Sequence, residues 1–365
     1  MRTFHHIAIV LLLVGCTAQE PLPDSVAGQP VQFTVGGEAL VQAQTKSATN
    51  MASGGRFVCS MYYHAAAGDT DESNYDISPL SMGGTMTTAW LKIDGNEGAA
   101  QYWDMEYSAQ LASPTFYWQN RLNHAFLALA DYNKLNSNVG AITHAAEDKG
   151  KLKMYPDGEN YDGKYNAYDL SRGERTSMDQ QPDPILARAV VKPEGRTPAS
   201  VLLNFQHQFS QVQVNVKGAT DGSATIDADQ IEKVELLGVS TEGYVPIHLN
   251  ADGTVSISIS NGVAVNNAFE LFVMTEAASG YLKSAHAIAF GVLRGIRVTW
   301  HEAGDITIKH TPTYTLADPL TMKSGKQYIY NLEIRHGGIS LIQTQIENWG
   351  QKADLVFDDA TVTPN

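Results

Sequence analysis

Gln211-Val212-Gln213-Val214-Asn215-Val216-Lys217 alternates polar and apolar side chains without a break. Successive side chains of an extended chain point to opposite faces, so the segment is a strand that buries its three valines and turns its amides the other way. The same period of two returns in Val255, Ile257 and Ile259 against Ser256, Ser258 and Ser260, and again in Tyr328, Tyr330, Leu332 and Ile334. Asp252-Gly253 and Asn261-Gly262 supply residues that tolerate positive φ, as tight hairpins require. Helices have little room here. One face of each strand must be covered by another sheet, which makes an antiparallel β-sandwich the economical solution.

Towards the N-terminus, chain breakers concentrate at Gln180-Gln181-Pro182-Asp183-Pro184 and at Lys192-Pro193-Glu194-Gly195-Arg196-Thr197-Pro198, and mark the best domain boundary. Before it, Val31 to Val35 alternates as a first strand, while Phe57 to Tyr63 is more apolar and therefore more central. Thr87 to Ile93 alternates too, but Ala125 to Ala130 is too short and too uniformly apolar to separate strand from helix. Residues 131–184 are polar and rich in Tyr and Asp, as expected for long surface loops on the first domain with one short helix. Residues 17–30 lack periodicity and are expected to form a flexible tether.

The basic Arg2, the apolar run Ile7 to Val14 and Gly15-Cys16 have the form of a signal segment. The run falls short of the roughly 20 residues a permanent membrane-spanning helix needs. Leu13-Val14-Gly15-Cys16 resembles the lipidation box of bacterial lipoproteins, which implies acylation of Cys16 and cleavage before it. Thr17, where an Asp would argue for inner-membrane retention, carries no such signal. The expected organisation is a signal peptide at 1–15, a lipidated tether at 16–30, and two domains at 31–195 and 196–365, an all-β fold with a loop-rich insertion in the first domain.

The net charge of -14, with only 25 Lys and Arg, excludes the concentrated positive surface that duplex nucleic acid needs. With Cys16 committed to lipid, Cys59 is alone, and its place in the apolar Phe57 to Tyr63 run fits a buried small hydrophobe better than a nucleophile. On that strand His64 points to the opposite face from Cys59. There is no disulfide framework, so the core and the sheets must hold the fold.

No catalytic set is assembled, so no enzyme activity and no cofactor or metal is expected. His-Glu-x-x-His, Gly-x-Ser-x-Gly and a Gly-rich phosphate loop are all missing from the sequence. His207, in Phe205-Gln206-His207-Gln208-Phe209, fits a structural hydrogen-bonding role at a strand edge. The acidic group Asp69, Asp71, Glu72, Asn74 and Asp76 lacks the register of an EF-hand loop and fits a solvated turn. Paired carboxylates for glycoside hydrolysis stay open, because such pairs lie far apart in sequence. Tyr155, Tyr161, Tyr165 and Tyr168 in the polar insertion are candidates for stacking on a sugar.

Four pieces carry a resemblance. The run Val201 to Val216, with its Phe-x-His element Phe205-Gln206-His207, is the strongest, preceded by Asp183-Pro184-Ile185-Leu186-Ala187. Near the end stand Ser324-Gly325-Lys326-Gln327-Tyr328-Ile329-Tyr330-Asn331-Leu332 and Ile346-Glu347-Asn348-Trp349. In this order, and together with the lipidation box, they resemble the fimbrillin-like family of major and minor fimbrial subunits of Bacteroides-type bacteria. The resemblance implies two transthyretin-like β-sandwich domains, export as an outer-membrane lipoprotein and a place at the cell surface. It further implies that an Arg- or Lys-directed protease removes the acylated leader with the first strand, and that a strand of a neighbouring subunit fills the groove left behind.

On this sequence the implied cut falls at Lys46, with Arg56 as the alternative. Leu355 and Phe357, in Ala353 to Val362, are the candidate donor-strand residues; a final strand packed on its own domain is the competing reading. The expected function is a structural or accessory, tip-like fimbrial subunit with other fimbrial subunits as partners and a host or bacterial surface ligand. The alternatives are a surface glycan-binding lipoprotein and a permanently anchored fimbrial anchor.

Overall fold

The alternation resolves into hydrogen-bonded ladders over most of the described residues. The computed structural model describes residues 26–37, 55–63, 87–94, 99–104, 109–121, 123–131, 155–156, 167–194, 197–219, 225–245, 247–249, 255–257, 260–261, 268–335, 338–349 and 356–357. The first half contributes β1 (Phe33–Gly37), β2 (Arg56–Tyr63), β3 (Thr87–Asp94), β4 (Ala99–Asp104), β5 (Ala109–Gln110) and β6 (His124–Asp131). These are followed by β7 (Tyr155–Pro156), β8 (Ala167–Asp169), β9 (Pro184–Val191) and β10 (Val201–His207). Then come β11 (Ser210–Gly218), β12 (Ile231–Ser240), β13 (Glu242–Tyr244), β14 (Ile247–Leu249), β15 (Val255–Ile257) and β16 (Ser260–Asn261). The last elements are β17 (Phe269–Glu270), β18 (Phe272–Val273), β19 (Lys283–Glu302), β20 (Asp305–His310), β21 (Thr313–Thr321), β22 (Lys326–Arg335), β23 (Gly338–Asn348) and β24 (Val356–Phe357). The fold is all-β, with two 3-10 turns, Met178–Gln180 and Ala228–Gln230, among the described residues.

The first sheet runs β1-β10-β9-β6-β2-β3-β4 and closes on itself, because β1 also pairs with β4. Every contact around this circuit is antiparallel except β1 on β10, where Phe33 to Gly37 runs parallel to Val201 to Phe205. Inside lie Phe33, Val35, Phe57, Cys59, Leu91, Phe126, Ala128, Ile185, Leu203 and Phe205, each buried. Closure removes both sheet edges at once, which an open sheet of this length would leave exposed.

Ala125 to Ala130 forms strand β6, and its uniform apolarity has a geometric cause. Phe126 and Ala128 point into the closed sheet, while Ala125, Leu127 and Leu129 point outwards into a second core shared with Phe209, Val212 and Val214. A strand buried on both faces loses its alternation. That outward contact, with Val58 and Leu186 beside it, joins the closed sheet to the rest of the chain.

The second half is organised by the 20-residue strand β19. Its first part pairs with β11, which continues to β22, β23 and β24, and its later part pairs with β12 and with the β20 and β21 arm. The strand bends where Gly291 adopts φ 101°, a value that a side chain resists, and β12 shifts register beside it. Val214, Tyr330 and Leu332 from one part face Leu236, Ile296 and Val298 from the other across one core.

Two expectations shift. The described part of residues 131–184 does not rest as loops on the first sheet: β7 pairs with β14 and β8 with β13, strands that follow the breaker-rich region. The one short helix expected there is the 3-10 turn Met178–Gln180. Conversely β10, expected to open the C-terminal domain, pairs with β1 and β9 in the closed sheet. The β8–β13 pair brings Gly243 against Phe209, whose ring would stand 2.4 Å from any Cβ there, so a glycine inside a strand is explained by close packing.

Gln181 completes the bend. Its fully buried carboxamide donates to the carbonyls of Leu170 (2.7 Å) and Ile288 (3.1 Å) and accepts from the Ile288 N–H (2.8 Å), standing in for a strand residue beside β19. Each buried backbone group deprived of its partner costs roughly 1–3 kcal/mol. Gln181→Ala is expected to lower stability by about 3 kcal/mol or more in urea denaturation; a loss under about 1 kcal/mol would show that the amide is dispensable.

Candidate functional site

The chain enters the closed sheet through a segment more tightly held than a tether. Val26 is fully buried, and Gly28, at φ 81°, turns the chain so that its N–H donates to Trp118 O at 2.9 Å. Trp118 N–H returns a bond to Gln29 O (2.9 Å), and Val31 N–H donates to Phe116 O (3.0 Å). Residues 26–30, expected within the tether, thus belong to the fold. The missed signal was small: one isolated Val26 followed by a turn-forming Gly28.

β1 then fills the gap between β4 and β10. Phe33 sits edge-on to three rings, Phe126 at 5.4 Å, Phe116 at 6.0 Å and Tyr102 at 6.2 Å between centroids. Tyr102 Oη donates to Val31 O at 2.8 Å, and Val201 N–H donates to Gln32 O at 2.8 Å. Burial holds the Tyr102 phenol well above its ordinary pKa. The slot is therefore an apolar trough with backbone hydrogen-bonding groups along both rims, the chemistry that accepts an extended strand with alternating apolar side chains.

Across the interior lies Cys59, a fully buried free thiol on β2. Burial drives its pKa far upwards, so it is an inert small hydrophobe while the sheet is closed, as its sequence context suggests.

The candidate cleavage residues differ in position. Arg56 is the first residue of β2, opposite Lys92 on β3, with its guanidinium 5.5 Å from the centre of the Trp103 ring. Lys92 Nζ lies 4.0 Å from the same ring. A protease needs an extended segment it can pull into its own cleft, and a residue paired in the β2–β3 ladder does not offer one. Lys46 and Cys16 lie outside the described residues, as do His64 and the acidic group from Asp69 to Asp76.

At the other end, Phe357 falls in β24, where it pairs with Thr344 of β23, and Leu355 lies outside the described residues. The four candidate sugar-stacking tyrosines separate. Tyr155 is in β7 opposite His248, and Tyr161 and Tyr165 lie outside the described residues. Tyr168 is 1% exposed and packs edge-on against Phe209 at 5.6 Å, so it has no face to offer a sugar. Its strand is only three residues long and pairs far away in sequence, so no local pattern sets it apart from a loop.

His207 has the structural role expected of it, in a richer setting. It ends β10, is 1% exposed, and its Nδ1 lies 2.9 Å from the Asp183 carboxylate, which as an acceptor-only group requires Nδ1–H to donate. Its ring stacks on Trp349 at 4.0 Å and 14°. Trp349 N–H donates to Gly325 O and Gly325 N–H to Phe209 O, both at 2.8 Å, while Gln208 N–H donates to Pro184 O at 2.9 Å. Four sequence pieces between Asp183 and Trp349 meet at one seam between the closed sheet and β11, β22 and β23.

The model of a family described as Fimbrillin-like matches residues 80–349. Among solved structures, a candidate cell adhesion protein from Bacteroides ovatus is similar at 15% identity and TM-score 0.52, covering 88% of this chain and 98% of its own. Another from Bacteroides uniformis gives 15% identity and TM-score 0.49 with coverage of 88% and 98%. A C-terminally truncated tip fimbrial protein from Porphyromonas gingivalis gives 7% identity and TM-score 0.40 over 88% of this chain and 99% of its own. No curated protein matches.

Proposed function

The chain belongs to the fimbrillin-like family, and from that premise we propose that it is a structural or accessory subunit of a cell-surface fimbria, matured by loss of its first strand. One observation carries the proposal: β1 closes the sheet, yet it is joined to β2 only through residues 38–55, the segment that holds Lys46. A cut there separates the lipid-bearing leader and β1 from the rest of the chain in a single event. The vacated trough between β4 and β10 then presents apolar surface and unpaired backbone groups, and a strand from a neighbouring subunit repairs both.

In this reading acylated Cys16 anchors the precursor to the outer membrane, Lys46 is the processing residue, and Arg56 is disfavoured by its place in the ladder. The donor is the C-terminal segment with Leu355 and Phe357. Among the described residues it pairs with β23, Phe357 opposite Thr344 and Val356 opposite Gln345, a pairing that exchange between subunits would replace. The two units are transthyretin-like β-sandwiches, divided at Gln208–Phe209 rather than at 195/196, because β10 belongs to the closed sheet. An accessory, tip-like place suits a chain with a long polar insertion better than a repeated stalk does. A sugar bound by Tyr155, Tyr161 and Tyr165 remains the second function for the insertion, now without Tyr168.

Mass spectrometry of the mature N-terminus from whole cells tests the reading. Wild-type surface protein is expected to begin at Ser47, Lys46→Gln to keep its acylated Cys16, and Arg56→Gln to behave as wild type. Surface protein that retains acylated Cys16 under all conditions would remove the polymerising role and leave a permanent anchor. Maturation that persists in the double Lys46→Gln, Arg56→Gln variant would defeat the basic-site assignment.

A further inference from the structure

The face of β11, β22 and β23 turned away from the core has a composition that pairing and packing do not require. Between flanking rows that hold Lys217, Glu333 and Glu347, its centre carries carboxamides locked to one another. Ser284, Asn215, Asn331 and Gln343 stand in one row across β19, β11, β22 and β23. Ser284 Oγ donates to Asn215 Oδ1 (2.6 Å), Asn215 Nδ2 to Asn331 Oδ1 (2.8 Å), and Asn331 Nδ2 to Gln343 Oε1 (3.3 Å). The first three are buried, at 1%, 3% and 5% exposure, so they act as a fixed base.

The neighbouring row places Ile329 between Gln213 and Gln345. Gln213 Nε2 donates to Asn215 Oδ1 at 2.9 Å and Gln327 Nε2 to Gln213 Oε1 at 3.4 Å, so the half-buried amides are oriented from below. The chain of bonds ends at Gln343: its Nε2 and the Gln345 carboxamide make no further hydrogen bond among the described residues. Met178, whose Sδ accepts from Gln211 Nε2 at 3.3 Å, stands at one side as a wall.

We propose that this platform binds a neutral glycan. The chain carries a net charge of -14, yet the two central rows hold no carboxylate, lysine or arginine and only His286, opposite Gln213, as a titratable group, so a charged polymer finds little to pair with there. Preoriented amides offer donors and acceptors side by side, which suits vicinal hydroxyls, and Ile329 offers the aliphatic surface that the C–H face of a sugar ring covers. Fixing the amides beforehand reduces the ordering cost of binding, the main obstacle to recognising small polar ligands. A peptide strand would need a free sheet edge rather than a face. The platform lies apart from the β1 trough, so it operates whether or not the leader is removed.

The test uses the full chain and immobilised dextran, mannan and galactan, with hyaluronate as a charged control. At least one neutral polysaccharide is expected to be retained, and Gln343→Ala combined with Gln345→Ala to weaken retention about tenfold, the effect of two modest hydrogen bonds. Gln345→Lys, which adds bulk and charge at a half-buried surface position, is expected to weaken retention as well and to leave the melting temperature unchanged, whereas the double variant also unpairs Asn331 Nδ2 and is expected to melt slightly lower. Retention of none of the neutral probes, retention of hyaluronate alone, or equal retention by all three proteins overturns the proposal. Self-association that the double variant abolishes, without glycan retention, would make the face a contact between copies of this chain and overturn it too.

Discussion

A chain cut after Lys46 and freed of its leader is expected to lose its closed sheet unless another strand takes the place of β1. Val26, Val31, Phe33 and Val35 are each at most 2% exposed, and full burial of such side chains is worth about 1.5–3 kcal/mol apiece, or about 6–12 kcal/mol together. A whole domain is stable by about 5–15 kcal/mol, so the emptied trough cannot persist as a passive vacancy. The backbone argument points the same way, since β4 and β10 become open edges and Val201 N–H and the Tyr102 hydroxyl lose the acceptors on residues 31 and 32. The measurement is the reactivity of Cys59 in a Cys16→Ser background. Burial raises its pKa and keeps it protonated in the closed sheet, so the intact chain is expected to resist a maleimide and the cut chain to react. A synthetic peptide of residues 29–37 is expected to restore protection and to raise the melting temperature. An unreactive Cys59 and an unchanged melting temperature after the leader has been removed would show that β1 is not needed for closure.

What the sequence disclosed, and what it hid, follows from where the information lies. Val212, Val214 and Val216 announce their strand because one face is core and the other is not, and the same rule finds Tyr328 to Ile334, whereas Phe57 to Tyr63 is legible by its apolarity, since it is buried on both faces. Closure left no local trace. β1 closes the sheet against β10, about 170 residues downstream, and a parallel contact has no hairpin to betray it. Ala125 to Ala130 was ambiguous because it is buried on both faces, by two cores that only the assembled fold defines. Breaker density does not mark the change of sheet: Pro184 opens β9 and the prolines at 182, 193 and 198 flank it, whereas the chain crosses into the second sheet at Gln208–Phe209, with no proline or glycine there. For the candidate site, the apolar first strand is legible, but the ring cluster around Phe33 is not, since Tyr102, Phe116 and Phe126 come from separate segments.

The seam at Asp183, His207 and Trp349 is expected to be the most damaging place to substitute outside the two cores. His207→Ala removes one partner of a buried hydrogen-bonded pair and one ring of a stack. Breaking such a pair from one side costs about 3–5 kcal/mol, because the other member stays in a low-dielectric site. Trp349→Ala removes a large side chain that is 3% exposed, for about 3–5 kcal/mol by loss of packing. His207→Phe separates the two contributions: it keeps a ring for Trp349 but cannot donate to Asp183, and is expected to recover part of the loss without restoring the wild type. The seam ties β10 and the entry to β9 to the ends of β22 and β23, so the effects of His207→Ala and Trp349→Ala are expected to be coupled. Urea denaturation of both singles and the double gives the coupling energy, expected at about 1–3 kcal/mol, with additivity within about 0.5 kcal/mol as the result that would sink the idea. If the coupling holds, a pull on a strand seated between β4 and β10 is passed through β10 directly into β11. The residues that carry the family resemblance are then explained by mechanics, as the joint through which one half of the subunit bears load on the other.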